Sequence, residues 1–224
     1  MPVSRGVAYA PRNEADPAVG LLVLTDDLWN GSVDDVTVVP IAPREFEAPP
    51  FSPSVDVYGA KPAVVGMLRS VEVDELGAPI TTLSGFDMGS VEDAFRELLG
   101  MDGLLLDPPR SSPMASGRQF PRWSHIYYGP ERAGQTKRWV VLSDNVWNLA
   151  TGGAVILRTT SKLWRIGPGY PAIQHGHAVA AAGDLLSVSS RRLDMRNLPR
   201  PPSLSIADMV SIAHAVLEVH GMAP

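Results

Sequence analysis

The side chains best suited to chemistry are concentrated in the second half of the chain. Aromatic residues such as Trp139, Trp164 and the Tyr127-Tyr128 pair are interleaved there with arginine and lysine. Cationic side chains bind phosphate groups and aromatic faces stack on bases, so the mixture is compatible with a single-stranded nucleic acid. Core packing, or an interface within the chain, explains such aromatic residues more often. The lysine and arginine residues between Tyr127 and residue 165 are Arg132, Lys137, Arg138, Arg158, Lys162 and Arg165.

Other kinds of chemistry have weaker support. His175-Gly-His177 would place two imidazoles on one face of a strand, as in a two-ligand metal clip. The neighbouring sequence offers no convincing third ligand, so a solvated loop is the better interpretation. The chain has no cysteine, which removes disulfides and cysteine-based metal sites. It also has no phosphate-binding glycine loop and no nucleophile elbow. We therefore expect no cofactor and no metal.

The charge is divided unevenly along the chain. The net formal charge is −5, but residues 1–107 hold 6 basic and 18 acidic residues, whereas residues 108–224 hold 13 and 6. Such asymmetry suggests different partners for the two halves, or one half facing the other. Drift on solvated surfaces is the alternative, which a charge count by itself favours. The sequence shows no membrane-spanning run and no signal-peptide pattern, so we expect a cytoplasmic protein without a membrane partner.

The chain contains an internal repeat. Residues 19–41 match residues 137–159 without a gap, so that Asp26 corresponds to Asp144, Trp29 to Trp147 and Asn30 to Asn148. The conserved spacing of Trp29 and Trp147 indicates a shared packing role. Two copies of about 100 residues suit a duplicated small domain rather than a solenoid.

Each copy has the same order of predicted elements. In the first copy, β-branched runs at 21–25 and 36–41 predict an antiparallel pair joined by a turn-rich segment, and 64–71 is a further strand candidate broken at Gly66. A helical spacing follows at 90–99. Ser84 and Ser205, each three residues before an aspartate, predict helix starts. The fold class is therefore mainly β with helices, an α+β or small-barrel pattern.

The predicted break between the copies is a proline-rich stretch at 107–122. We therefore predict domains at 1–107 and 119–224, joined by a Pro/Ser-rich linker at 108–118. Such a linker is semi-extended and could reach across a small barrel.

These blocks together resemble the MazF/PemK/Kid family of toxin–antitoxin toxins, whose SH3-like barrel is shared with the gyrase poison CcdB. The opening Arg5-Gly6, the strand and turn at 21–30 and 139–148, and residues 67–72 each match a family block. The terminal helices, from Leu83 to Gly100 and from Leu204 to Gly221, match another. The resemblance covers nearly all of the chain except the linker and residues 44–60. The order of the blocks, occurring twice, is more specific than any single block.

The resemblance implies both an architecture and an activity. Family members are homodimers, so this chain would be a monomer of two tandem SH3-like barrels that form an intramolecular pseudo-dimer. Many members cut single-stranded RNA without a metal, and antitoxin proteins are their partners. The expected partners are thus single-stranded RNA and an antitoxin or other protein.

The resemblance also places a site. The family's arginine and threonine fall on Val19 and Ala42 in the first copy, where both functional groups are lost. In the second copy they fall on Lys137, followed by Arg138, and on Thr160. Lysine in place of arginine replaces a planar guanidinium, which can donate two parallel hydrogen bonds to a phosphate, with a compact ammonium charge. The expected catalytic residues are Lys137, Arg138 and Thr160, and the expected RNA-binding residues are Arg132, Arg158, Thr159, Ser161, Lys162 and Arg165.

Three functions stay open at this point. The first is a metal-independent endoribonuclease with one surviving site in the second barrel. The second is a non-catalytic module that binds nucleic acid or protein. The third is a pseudo-toxin that occupies an antitoxin. Thr160 and Lys137 are equally compatible with an ordinary strand end, because a degenerate repeat often keeps a fold and loses its chemistry.

Overall fold

The computed structural model describes residues 3–100, 121–130, 136–167, 169–173, 178–193 and 202–222. The chain forms two compact units. Unit 1 comprises Met1–Arg96 together with Leu217–Pro224, and unit 2 comprises Glu97–Val216. The predicted linker, residues 108–118, lies outside the described residues, so the domain bounds of 107 and 119 remain a prediction.

Unit 1 is built on a five-stranded antiparallel sheet in the order β6-β3-β2-β1-β7. Two further strands, β4 and β5, form a separate hairpin. Short 3-10 turns at Val65–Met67 and Val73–Glu75 flank β6. The strands are β1 (Val7–Pro11), β2 (Gly20–Val23), β3 (Asp35–Ile41), β4 (Ser54–Asp56), β5 (Ala60–Pro62), β6 (Arg69–Glu72) and β7 (Leu76–Thr82), and the helices are α1 (Asp27–Asn30) and α2 (Gly85–Leu98).

Unit 2 is built on a five-stranded antiparallel sheet in the order β11-β12-β10-β9-β8. Short 3-10 turns at Leu163–Arg165 and Ser190–Arg192 follow β10 and β12. The strands are β8 (Ile126–Pro130), β9 (Thr136–Val141), β10 (Gly153–Thr160), β11 (Ala172–Ile173) and β12 (Ala178–Ser189), and the helices are α3 (Asn145–Thr151) and α4 (Ile206–Val219). The fold is thus mixed α+β with antiparallel sheets. No helix in the described part of the chain is long and apolar enough to span a membrane.

Several sequence predictions are confirmed. The runs at 21–25 and 36–41 form β2 and β3, which pair antiparallel. Ser84 and Ser205 cap helices as predicted, since each hydroxyl accepts a hydrogen bond of 3.1 Å from the amide of the aspartate three residues later. These caps satisfy backbone donors that a helix start leaves unpaired.

One strand prediction is wrong in part. Residues 64–71 were expected to be one strand broken at Gly66, but Val65–Met67 forms a 3-10 turn and the strand begins only at Arg69. The apolar side chains of Val64, Val65 and Leu68 are fully buried in this turn. A short apolar run indicates that a segment is buried. A strand and a buried turn share that property, so the run does not distinguish them.

The repeated positions make the same backbone contacts in the two units. The amide of Leu24 donates to Thr37 at 2.9 Å, and that of Leu142 donates to Val155 at 2.9 Å. Asp26 and Asp144 each cap the following short helix by accepting a hydrogen bond from the amide two residues later. Trp147 is buried, whereas Trp29 is only half-buried. The predicted shared packing role is therefore matched in position but not in burial.

The last residues of α2 and of α4 belong to a different unit from the rest of each helix. In unit 1, the Asp26 amide donates to the carbonyl oxygen of Val219 at 2.8 Å, and Arg5 Nε donates to that of His220 at 2.6 Å. In unit 2, the Asp144 amide donates to the carbonyl oxygen of Leu98 at 2.8 Å. Each unit therefore completes its short first helix with a helix end from the other half of the sequence.

Candidate nucleic-acid interface

The candidate site of unit 2 lies where β9 and β10 pair. Arg158 lies opposite Trp139 in this ladder, and the hydroxyl of Thr159 donates to the carbonyl oxygen of Arg138 at 2.9 Å. Arg138 is exposed, whereas Trp139 is 6% exposed and packs in the core of the unit. The alternation of the strand thus places a cation on the solvent face and a tryptophan on the core face.

Thr160 is the last residue of β10 and begins a turn. Its hydroxyl oxygen accepts a hydrogen bond of 3.2 Å from the Lys162 amide, and both Ser161 and Lys162 are exposed. The contact uses an acceptor lone pair and leaves the hydroxyl proton available for donation. Thr160 can therefore donate to an anionic oxygen at the surface while it fixes the direction of the chain.

Arg158 has an acidic partner within unit 2. Its guanidinium lies 3.4 Å from the carboxylate of Asp184 on β12, and the two side chains are 40% and 31% exposed. A partly exposed ion pair of this kind contributes little to stability. A phosphate group could therefore replace Asp184 at modest cost.

Two expected residues are only partly described or not described. Lys137 pairs with Gly129 through the β8–β9 ladder, but its side chain lies outside the described residues. Arg132 also lies outside them, as do His175 and His177. The predicted roles of these residues stay predictions.

The turn after β10 carries Trp164, one of the aromatic residues that the sequence places among cations. Trp164 is 77% exposed, and the Arg165 guanidinium lies 5.2 Å from the centre of its ring. Of the aromatic residues considered in the sequence, Tyr127 and Trp139 are buried in the core. The exposed fraction of the side chain distinguishes Trp164 from Tyr127 and Trp139, and no spacing pattern in the sequence predicts that fraction.

The corresponding edge of unit 1 lacks these groups. Ala42 is 7% exposed and Val19 is half-buried at the positions that match Thr160 and Lys137. Pro40 and Gly20 stand where unit 2 has Arg158 and Arg138. Of the cations in unit 2, Lys162 alone has a cationic counterpart, Arg44, which is exposed.

Unit 1 has an acidic cavity on a different surface. The cavity has a volume of about 930 Å³, with an apolar floor that includes Tyr9 and Leu76. Its lining also contains four carboxylates and one guanidinium: Asp34, Asp35, Glu72, Asp74 and Arg12. Such a surface disfavours a polyanion, because like charges repel. No cluster of three potential metal-ligating side chains occurs in the described ranges.

Two titratable groups lie at the start of β8: His125, which is half-buried, and Tyr127, which is buried. Burial, and next the positive charge of Arg122, lower the pKa of His125 from its ordinary value. Burial also raises the pKa of Tyr127, although a hydrogen bond from the Arg122 backbone opposes that change. Both shifts favour the neutral form of the group concerned.

Comparison with known proteins gives matches among solved structures. No protein-family model matches the chain, and no curated protein matches it. MazF (Form-I) from Deinococcus radiodurans is 17% identical, and the match covers 47% of this chain and 100% of that chain with a TM-score of 0.40. The Mycobacterium tuberculosis toxin MazF-mt6 is 20% identical, with 41% and 93% covered and a TM-score of 0.35. Both matched proteins bear the name MazF, one of the families that the sequence resembles.

A mycobacterial endoribonuclease in complex with its cognate antitoxin matches in the same way. Its identity is 20%, and the match covers 46% of this chain and 98% of that chain with a TM-score of 0.40. Each match thus takes in nearly a whole toxin chain but under half of this one. The identities and TM-scores are too low to transfer the role of any residue, so roles rest on the contacts of this chain.

Proposed function

We propose that the chain is a MazF-like growth inhibitor that binds single-stranded RNA along the β9–β10 edge of unit 2 and cuts it without a metal. In this proposal the chain is a monomer of two tandem SH3-like barrels that form an intramolecular pseudo-dimer. One barrel keeps a site and the other supports the fold. An antitoxin, like the one in the mycobacterial complex, would be its protein partner.

The observation that carries the proposal is a cationic edge present in unit 2 and missing from unit 1. Thr159 and Thr160 lie among cations that are exposed or half-exposed: Arg138, Arg158, Lys162 and Arg165. Residues 145–183 contain no acidic residue at all. Single-stranded nucleic acid binds such a surface because each phosphate neutralised releases counterions.

The tandem architecture is supported by contacts that recur at the repeat spacing. The Gly6 and Ser124 amides each donate, at 2.9 Å, to the valine carbonyl oxygen of the neighbouring strand. Tyr9 and Tyr127 each accept, through the phenol oxygen, a hydrogen bond from the amide five residues earlier. Two unrelated small domains would have no reason to share these pairings at one sequence offset.

Metal-free cleavage of RNA uses the substrate's own 2′-hydroxyl. The 2′-hydroxyl gives its proton to solvent water as its oxygen attacks the adjacent phosphorus. The bond from phosphorus to the 5′-oxygen then breaks, and the 5′-oxygen takes a proton from water, which leaves a 5′-hydroxyl and a cyclic phosphate. The transition state gathers negative charge on the phosphorane oxygens. Arg138 and Lys137 would stabilise this charge, and the Thr160 hydroxyl would donate to a phosphorane oxygen.

Binding without cleavage is the second candidate. Metal-free cleavage requires a group that removes the 2′-proton. Among the described residues of the site, Asp184 is the one carboxylate, and it is paired with Arg158. This observation favours a module that grips RNA or protein without cutting it, and the experiment must separate the two.

The decisive experiment compares wild type, Thr160→Ala and Thr160→Ser in a bacterium, reading growth and RNA 5′-ends together. Purified proteins are then mixed with labelled single-stranded RNA in EDTA. The proposal predicts growth arrest and 5′-hydroxyl ends with wild type, their loss in Thr160→Ala and recovery in Thr160→Ser. Val19→Ala, at the matching edge of unit 1, serves as the control and should change neither readout.

The outcomes separate the candidates. Tight RNA binding by wild type with no 5′-hydroxyl product supports the binding module. Neither binding nor cleavage across RNAs of varied sequence overturns the nucleic-acid proposal. Binding should weaken with salt by about 0.7 in log K per decade for each phosphate contact.

A further inference from the structure

We propose that Trp164 is a base-stacking platform that holds one nucleobase of single-stranded RNA beside the site. The inference rests on the proposed function and adds the group that recognises a base rather than a phosphate. It assigns to the turn Leu163–Arg165 a role that the strand residues cannot supply.

The exposure of this turn is the first observation. Trp164 is 77% exposed, and Leu163 and Ile166 are 47% and 55% exposed. A single exposed apolar residue needs no explanation, but three within four positions form a small patch. Exposed apolar side chains grouped in this way are a feature of many binding surfaces.

The second observation is that the turn holds its shape without help from the tryptophan side chain. The Arg165 amide donates to Lys162 at 3.0 Å, and the Ile166 amide donates to Leu163 at 3.1 Å. Gly167 and Tyr170 then close the segment with two backbone hydrogen bonds of 3.3 and 2.9 Å. The indole is thus presented on an ordered backbone, which lowers the entropy cost of binding.

Charge decides between a nucleobase and an apolar protein surface as the occupant. The Arg165 guanidinium lies over the Trp164 ring at 5.2 Å and 6.0 Å from the Tyr170 ring. Lys162 is exposed two residues before the tryptophan. An aromatic face flanked by cations fits a base whose phosphates are anionic, and arginine adds a cation–π contribution.

Unit 1 supplies a matched contrast. At the repeat offset, Phe46 corresponds to Trp164, and it is 40% exposed. Glu45 and Glu47 flank it, where unit 2 has Leu163 and Arg165. An aromatic residue between two carboxylates repels a phosphate chain, so Phe46 should not bind RNA.

The test measures binding of the full chain to a fluorescent 12-nucleotide RNA and to an abasic ribose-phosphate of the same length. Stacking is worth about 1–3 kcal/mol per base, so Trp164→Ala should weaken binding to the RNA by about tenfold. Binding to the abasic strand, and the slope of log K with salt, should not change. Trp164→Phe should restore most of the affinity, and Phe46→Ala should leave it unchanged.

The results for these variants separate failure of the stacking proposal from failure of the proposed function. If wild type binds RNA and Lys162→Ala weakens it but Trp164→Ala does not, stacking is wrong and the proposed function stands. If wild type binds no RNA, both proposals are overturned. If Trp164→Ala instead abolishes self-association of the protein and leaves RNA binding intact, the turn is a protein interface and stacking is overturned.

Discussion

The surface around the acidic cavity of unit 1 and the matching surface of unit 2 carry opposite charges. Asp35 pairs with Glu72 in unit 1, and Gly153 pairs with Ser189 at the same register in unit 2. The 3-10 turns that follow carry Asp74 and Glu75 in one unit and the exposed Arg191 and Arg192 in the other. Backbone pairing is retained while charge is inverted.

This difference shows which part of a repeat is constrained. Backbone pairings and caps fix where strands and turns lie, and a change there costs stability in either unit. Charged side chains on the exposed side of the same turns are constrained mainly by what they bind. We therefore expect the acidic half to contribute mainly to the fold, and the basic half to bind the ligand.

The largest expected effect separates the two edges. Under the proposed function, we expect Arg138→Ala to slow RNA cleavage by about 10²–10³-fold, because it removes one charge that would stabilise the transition state. Arg44→Ala, a cation on the corresponding edge of unit 1, should leave the rate unchanged. Single-turnover cleavage of a labelled RNA in EDTA measures both. Equal losses in the two variants would show that the edges are not functionally distinct.

The second expected effect compares the repeated asparagines. Asn148 is fully buried, and its amide nitrogen donates to Pro121 at 2.9 Å and to Ser143 at 3.0 Å. Asn148→Ala leaves these carbonyl oxygens buried and unpaired, so we expect a loss of about 2–3 kcal/mol in the free energy of unfolding.

Asn30 is the matched control for that change. It is half-buried and donates to Thr25 at 3.0 Å and to Val3 at 3.4 Å. Because Asn30 is itself partly exposed and its contact with Val3 is long, Asn30→Ala should cost less, about 1 kcal/mol. Urea unfolding followed by tryptophan fluorescence gives both values. A larger loss for Asn30→Ala would contradict the difference in burial.

A third prediction exchanges two residues in left-handed backbone. Gly6 has φ 76° and Ser124, at the matching position, has φ 64°. A residue with a β-carbon is strained in this region by about 1 kcal/mol or more. We expect Ser124→Gly to raise the free energy of unfolding by up to about 1 kcal/mol and Gly6→Ser to lower it by a similar amount. Thermal unfolding of both variants checks the sign, and a loss of stability in Ser124→Gly would refute it.

The smallest effect depends on pH. Burial first, and the Arg122 charge second, lower the pKa of His125 below 6.5 in the folded protein. As the pH falls below 6.5, the unfolded chain binds a proton before the folded one does, so stability is lost until the folded pKa is reached. His125→Val, which copies Val7 of unit 1, should lose less stability than wild type between about pH 7 and pH 5. Identical pH profiles would contradict the assignment.

Local patterns predicted much of the fold. The β2–β3 pair and the helix starts at Ser84 and Ser205 follow from β-branched runs and from hydroxyl caps, which act within a few residues. The turn at Val65–Met67 was missed, because an apolar run reports burial and not conformation.

The candidate site was less accessible to sequence reasoning. The placement of Arg138 beside Thr159 depends on strand register, which the repeat suggested but could not specify. The buried Trp139 and the exposed Trp164 differ in tertiary environment, and neither composition nor spacing encodes that difference. The ion pair of Arg158 with Asp184 joins strands that are adjacent only after folding.

The position of residues 217–222 in unit 1 bears on how the protein is made. Arg5 donates through its side chain to Leu24, His220 and Glu92, and the Phe95 ring lies 5.2 Å from that of His220. Domains generally fold in order as they leave the ribosome. Here the first unit lacks the Val219 and His220 carbonyl oxygens, which Asp26 and Arg5 bind, until residue 220 has been synthesised. A chain interrupted before that point leaves its first unit incomplete, so unit 1 would mature only after unit 2 has been synthesised.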